Sequence, residues 1–266
     1  ALNFIDMSGK PFNTVAPTDY SFWELLNQAV QEEPSASLDQ IRLGYYQSLG
    51  IEKGTPFAPD ARMQKILEEA AAVGDATARA IAFHTRGKDS YLYANSAWQY
   101  PFVGGYRFQT QPDVLNLDAY IYYYFMATGV TPAMEQKMVG IGSQYAVVAR
   151  DASGGPLDGG KNYRLRLPPN IPAKEFWSII VYSNQTRSML QTNQQYPSVS
   201  SQNKNLLVNA DGSVDVFFGP AAPAGKENNW VETVPGKGWN AMLRLYGPLE
   251  SWFDKTWRPG EVERRD

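Results

Sequence analysis

The chain has 266 residues, 43% of them hydrophobic and 19% charged, with a formal net charge of -3. That balance belongs to a folded protein with a sizeable core, and the lack of a basic excess argues against nucleic acid as a partner. With no cysteine and one histidine, His84, the chain cannot form disulfides, thiolate nucleophiles, Cys-ligated metal centres or a multi-histidine metal site of its own. No metal or other cofactor is expected. No stretch approaches the roughly 20 apolar residues of a transmembrane segment.

Taken in order, the first third reads as helical. Residues 22–33 place Phe22, Leu25, Leu26, Ala29 and Val30 on one face and stop at Pro34, which is amphipathic-helix spacing. Ser37 with Gln40 forms a capping-box pattern for a second helix ending near Gly50. Asp60 is placed to cap a third, longer helix, in which Gly74 marks a site for a bend. The aromatic run 118–129, ending at Gly129, predicts a buried helix.

From about residue 141 the pattern changes to strand lengths: QYAVVARD, NYRLRLP, EFWSIIVY, NLLVNA, SVDVFFG and NAMLRLYG. Asp211-Gly212 between two of them is a hairpin signal, since that pair tolerates the positive φ of a type I′ turn. The fold expected is α+β: an N-terminal helical region or linker over 1–90, then an antiparallel jelly-roll-like β-sandwich over 91–266.

Several segments in combination resemble the DUF1254/DUF1214 family of bacterial proteins. They are FIDMSGKPFNT, KGTPFAPDARM, GIGSQYA, FWSIIVYSNQTRSMLQTN, NADGSVDVFFGP and PGKGWNAMLRLYGPLESWFDKTWRPG. The resemblance implies a C-terminal DUF1214-like sandwich and a second sandwich upstream, and since the chain starts inside the family pattern that upstream half is expected to be missing here. It also implies export, hence a periplasmic or secreted location. It supplies no chemistry, because the family's function is unassigned.

Candidate site residues come from the residue types themselves. In 181–197 the chain gathers Tyr182, Gln185, Thr186, Arg187 and Gln191 at the end of an apolar run that includes Trp177. Arg187 suits a carboxylate, phosphate or sulfate, the amides suit sugar hydroxyls, and Trp177 suits a sugar face. The alternative is that these groups brace strand ends. Trp230 and Trp239 flank a Pro-Gly turn ahead of Arg244 and form a second aromatic cluster, again weighed against core packing. In the tail, Asp254 with Lys255 or Arg258 suggests an ion pair, and Trp252 and Trp257 suggest anchoring. His84 reads as a helix-end residue.

Two functions are therefore carried forward. One is an envelope protein binding a glycan or other polar or anionic small molecule through Trp177, Gln185, Arg187, Gln191, Trp230, Trp239 and Arg244. The other is a hydrolase or lyase acting on a carbohydrate-like substrate, with Asp158 and Glu232 as acids and Tyr182 as a base whose pKa is lowered by Arg187. Partners beyond the small molecule are open. Sandwich proteins with helical extensions often assemble through them, so a homo-oligomer and association with the upstream domain both remain in view.

Overall fold

The computed structural model describes residues 6, 8–11, 13, 15–127 and 132–265. The chain divides into two compact units, residues 1–78 and 79–266. It is α+β, with helices among residues 21–126 ahead of the main antiparallel sheets.

In the first unit, α1 (Ser21–Glu32) forms where predicted, but of its predicted apolar face only Val30 is buried, and Leu25 and Ala29 are exposed. The Lys53 ammonium caps its C-terminal end, donating to the carbonyls of Gln31 and Glu33 at 2.7 Å each. Such a cation satisfies carbonyls that have no partner within the helix. The second helix, α2 (Gln40–Ser48), is capped by Asp39, which accepts from Arg42 N at 2.9 Å. Ser37 belongs to the 3₁₀ turn just before it. The capping-box reading was two residues early because Asp39 is an equally good cap beside the helix start. Asp60 caps α3 (Ala61–Phe83) as expected, accepting from Met63 N at 2.8 Å. The helix runs unbroken through Gly74. Trp23 ties α1 to α3 by donating Nε1–H to Leu67 O at 2.7 Å.

The second unit is built on two main sheets. After β1 (Trp98–Gln99), a small hairpin of β2 (Gln109–Gln111) and β3 (Val114–Leu115) leads into α4 (Leu117–Met126). Asn116 caps α4, and the predicted end at Gly129 lies outside the described residues. The short α5 (Pro132–Glu135) precedes β4 (Ser143–Val148), β5 (Asn162–Leu167), β6 (Ala173–Ser183), β7 (Ser198–Ser200), β8 (Val214–Gly219), β9 (Trp230–Glu232) and β10 (Trp239–Pro248). α6 (Glu250–Phe253) and β11 (Val262–Arg265) close the order. The five-stranded sheet runs β1-β4-β10-β6-β7 and the four-stranded sheet β11-β5-β8-β9. All their pairs are antiparallel except β8 with β9.

Alternation decides what each strand buries. Ala146 and Val148 of β4, Trp177, Ile179 and Val181 of β6, and Ala241, Leu243 and Leu245 of β10 join one apolar cluster. Leu165 and Leu167 of β5, Val216 and Phe218 of β8, and Val262 of β11 join the same cluster from the other sheet. Each buried Val, Leu, Ile or Phe side chain among them contributes about 1.5–3 kcal/mol. One core between two sheets is sandwich packing.

Two strand expectations fail. NLLVNA forms no strand; Asn229 instead clamps it, accepting from Leu207 N and donating to Leu207 O, both at 2.8 Å. The Asp211-Gly212 turn is not type I′, for only Gly212 has a positive φ, 82°. Asp211 holds the turn by accepting from Ser213 N at 3.0 Å and from Arg166 at 2.5 Å.

Candidate functional site

The polar stretch after β6 is a hairpin loop. Ser183 N donates to Ser188 O at 2.9 Å, and Leu190 N returns to Val181 O at 2.9 Å. Arg187 takes a left-handed conformation (φ 59°) to close the loop, donating N–H to Ser183 O at 2.8 Å. Its guanidinium donates to Phe125 O at 3.2 Å and Gln185 O at 2.5 Å and stacks 4.3 Å from the centre of the Phe125 ring. Nearby, Asn184 accepts from Arg79 at its carbonyl (3.0 Å) and from Asn240 at its side chain (2.9 Å). These groups brace a strand end. Gln185 and Gln191 are exposed, in the loop and just after it.

Two of the three tryptophans offered as sugar platforms are core residues; the third, Trp230, is partly exposed. Trp177 is 6% exposed and Trp239 0%. Trp239 is wedged between Tyr163, edge-on at 5.5 Å, and Phe218 at 4.8 Å. Both sit on the inward phase of their strands, so neither presents a face to a ligand.

The proposed acids are also occupied. Glu232 accepts from Asn193 at both its backbone N (2.9 Å) and its Nδ2 (2.8 Å). Asp158 accepts from Gly160 N at 2.9 Å and pairs with Lys161 at 3.3 Å, and the first of these bonds does most to pull its pKa below the usual carboxylate range. In the tail, Arg258 pairs with Glu261 at 2.8 Å and Lys255 donates to Leu92 O at 2.9 Å. Asp254 caps Thr256 instead, accepting from its N at 2.8 Å. The ion pair read from sequence is absent because local turn geometry takes Asp254 first. Trp252 and Trp257 are buried, as an anchored tail requires. His84 is exposed immediately after α3.

What the fold does bring together is Arg244, Tyr145, Tyr182 and Tyr246. Leu243 and Leu245 point into the core, so Arg244 and Tyr246 occupy the outward phase of β10. Register places Tyr145 opposite Arg244 on β4 and Ser178 opposite it on β6. Tyr246 faces Ser143 on one side and Phe176 on the other. The Arg244 guanidinium lies 5.3 Å from the ring centres of both Tyr145 and Tyr246. Ser143 Oγ donates to the Tyr145 hydroxyl at 2.6 Å, and Phe176 stacks on Tyr246 with ring centres 4.1 Å apart.

This cluster has a definite electrostatic character. Burial works against the Arg244 charge, but a hydrogen bond with Tyr145 and the charges that Tyr246, Tyr182 and Tyr145 take on at high pH more than offset that, so its pKa stands above the ordinary value. No carboxylate lies within ion-pair distance of it among the described residues, and its Nε is buried with no hydrogen-bond partner. The tyrosines respond in the opposite sense from a base. Burial raises the pKa of Tyr182 and of Tyr246, and the attraction of Arg244 only partly counters it. The arginine beside Tyr182 is therefore Arg244 rather than Arg187, and Tyr182 stays a protonated donor.

Open clefts flank the cluster. One of about 580 Å³ is lined by Phe176, Tyr246, Gly247 and Gly140–Gly142. Another of about 300 Å³ is lined by Ser143, Tyr145, Tyr100 and the loop through Gly105, with Glu135 and Lys137. Arg244, Tyr145, Tyr182 and Tyr246 are all partly exposed, so the face is reachable. Sequence reading did not assign Tyr145 a role. The available signal was phase: Ser143-x-Tyr145 and Arg244-x-Tyr246 put polar groups on one face of two strands whose other face is apolar.

Fold and site define a β-sandwich protein whose outer sheet face carries a desolvated arginine among phenols. Residues 142–250 match the family described as a protein of unknown function, DUF1214. No curated protein matches the chain. A crystal structure of a protein from Vibrio parahaemolyticus is similar over 100% of this chain and 58% of its own, with 19% identity and a TM-score of 0.44. An uncharacterized protein from Burkholderia cenocepacia is similar over 79% of this chain and 44% of its own, with 19% identity and a TM-score of 0.33. The chain thus spans little more than half the length of the first of these structures. Among the described residues, no helix is long and apolar enough to cross a membrane.

Proposed function

We propose that this chain is a binding protein for a small ligand carrying an oxyanion and hydroxyl groups, an acidic sugar being the simplest example. The site is the outer face of the five-stranded sheet around Arg244. The observation that carries the reading is the Arg244 guanidinium, partly desolvated, without a carboxylate partner and with an unpartnered buried Nε. An unmet donor on a cation is costly unless an acceptor arrives. Tyr145, Tyr182 and Tyr246 supply further donors and flat apolar surface, which suit a hydroxylated ring. A location outside the cytoplasm belongs to the same proposal and rests on the resemblance of the sequence alone.

Catalysis at this face has less support. Tyr182 is held protonated rather than activated, and Glu232 and Asp158 already serve local structure.

Calorimetric titration with glucuronate, galacturonate and N-acetylneuraminate, each beside its neutral counterpart, tests the reading. An acid is expected to bind where the neutral sugar does not, and Arg244→Gln is expected to abolish binding while the chain stays folded. Equal binding of an acid by wild type and Arg244→Gln would overturn it.

A further inference from the structure

β7 and β9 are edge strands of opposite sheets and lie next to each other. Between them opens a cleft of about 340 Å³, lined by no residue of the Arg244 strands β4 and β10. Edges of this kind invite a peptide to add as a strand, but here the backbone groups are already used. Gln194 stands in for a missing strand beside β9, donating Nε2–H to Trp230 O at 3.1 Å and accepting from Glu232 N at 2.8 Å. On β7, Ser198 N donates to Tyr196 O at 2.8 Å and Ser200 N to Asn203 Oδ1 at 3.2 Å.

The side chains around the cleft are in the opposite condition. The Tyr196 hydroxyl, the Asn205 and Asn228 amides and the Lys204 ammonium make no hydrogen bond or ion pair among the described residues, although all line the cleft. Tyr196 is 65% exposed. The Trp230 ring is fixed in orientation, because its Nε1–H donates to Gly219 O at 2.9 Å. Lys204 and Glu227 contribute one charge of each sign, so the cleft selects no net charge.

We infer that this cleft is a second binding site, for a neutral oligosaccharide. Two aromatic rings, one of them held in a fixed plane, accept the apolar faces of sugar rings, and free amides exchange hydrogen bonds with the hydroxyls. A peptide strand finds no backbone partner there, and an ionic ligand finds no excess of counter-charge.

The test is titration of the chain with cellohexaose, maltohexaose, mannohexaose and chitohexaose. Tyr196→Ala and Asn205→Ala are the variants, chosen because neither side chain supports the fold; Arg244→Gln is the control. At least one hexaose is expected to bind, Tyr196→Ala and Asn205→Ala are each expected to weaken it about tenfold, and Arg244→Gln is expected to bind it as wild type does. Silence with all four sugars at about 10 mM would overturn the inference, as would binding that both cleft variants leave unchanged. Loss of binding in Arg244→Gln alone would assign the sugar to the sheet face and equally overturn the cleft.

Discussion

Arg187 and Arg244 show how two arginines in one domain come to different ends. Arg187 donates to two carbonyls and covers an aromatic ring, so its bonding serves to hold its loop against α4. Arg187→Ala should therefore lower stability by about 1–2 kcal/mol, measured by chemical denaturation, because carbonyl partners and the ring contact go together. Arg244 is surrounded by phenols and retains an unpartnered Nε. Replacing such a desolvated cation with an apolar residue of similar length costs little. Arg244→Met should change the unfolding free energy by less than about 1 kcal/mol; a loss several times larger would make Arg244 a structural brace like Arg187. Both arginines stood out in the sequence, but their roles did not. Whether an arginine is fully braced or keeps an unpartnered donor depends on partners such as Phe125, which lies 62 residues from Arg187. The tryptophans misled for the same reason, since residue type marks Trp177 and Trp239 as platforms while strand phase makes them core.

The long strands β4, β5, β6, β8 and β10 were legible because each alternates or runs apolar over strand length. The edges were not. β7 and β9 have three residues each, too few for a period to declare itself. NLLVNA has strand composition but is held by the Asn229 side chain, an interaction no local pattern announces. Gln194 does the corresponding work for β9. Gln194→Ala should leave Trp230 O and Glu232 N without their partner and lower stability by about 1 kcal/mol. Backbone amide exchange at Glu232 should accelerate with it. Unchanged exchange there would show that β9 does not depend on this side chain.

At the scale of the molecule, the second unit carries several tyrosines whose burial raises their pKa, among them Tyr93, Tyr122, Tyr182 and Tyr246. An unfolded tyrosine loses its proton near pH 10, whereas these keep theirs to higher pH in the folded state. Above about pH 10 the folded state therefore binds more protons than the unfolded one, and stability falls with pH. Their contribution is intact below that point. The urea midpoint should hold steady from about pH 7 to 9 and drop by about pH 11. A midpoint that rises over the same alkaline range would contradict the burial of these phenols. The α+β class and the change from helical to strand pattern were readable along the chain, because periodicity survives over long segments. The Arg244 face was not, since it depends on register between β4 and β10, whose paired residues lie about a hundred positions apart.

The most direct measurement is the nuclear magnetic resonance signal of the Arg244 Nε–H, assigned by its loss in Arg244→Gln, during titration with glucuronate, galacturonate and N-acetylneuraminate. One of these acids is expected to shift the signal in a saturable way as the oxyanion engages the guanidinium, while the Arg187 signal stays in place. An Arg244 signal that does not move with any of the acids would contradict the claim that this arginine is a ligand site.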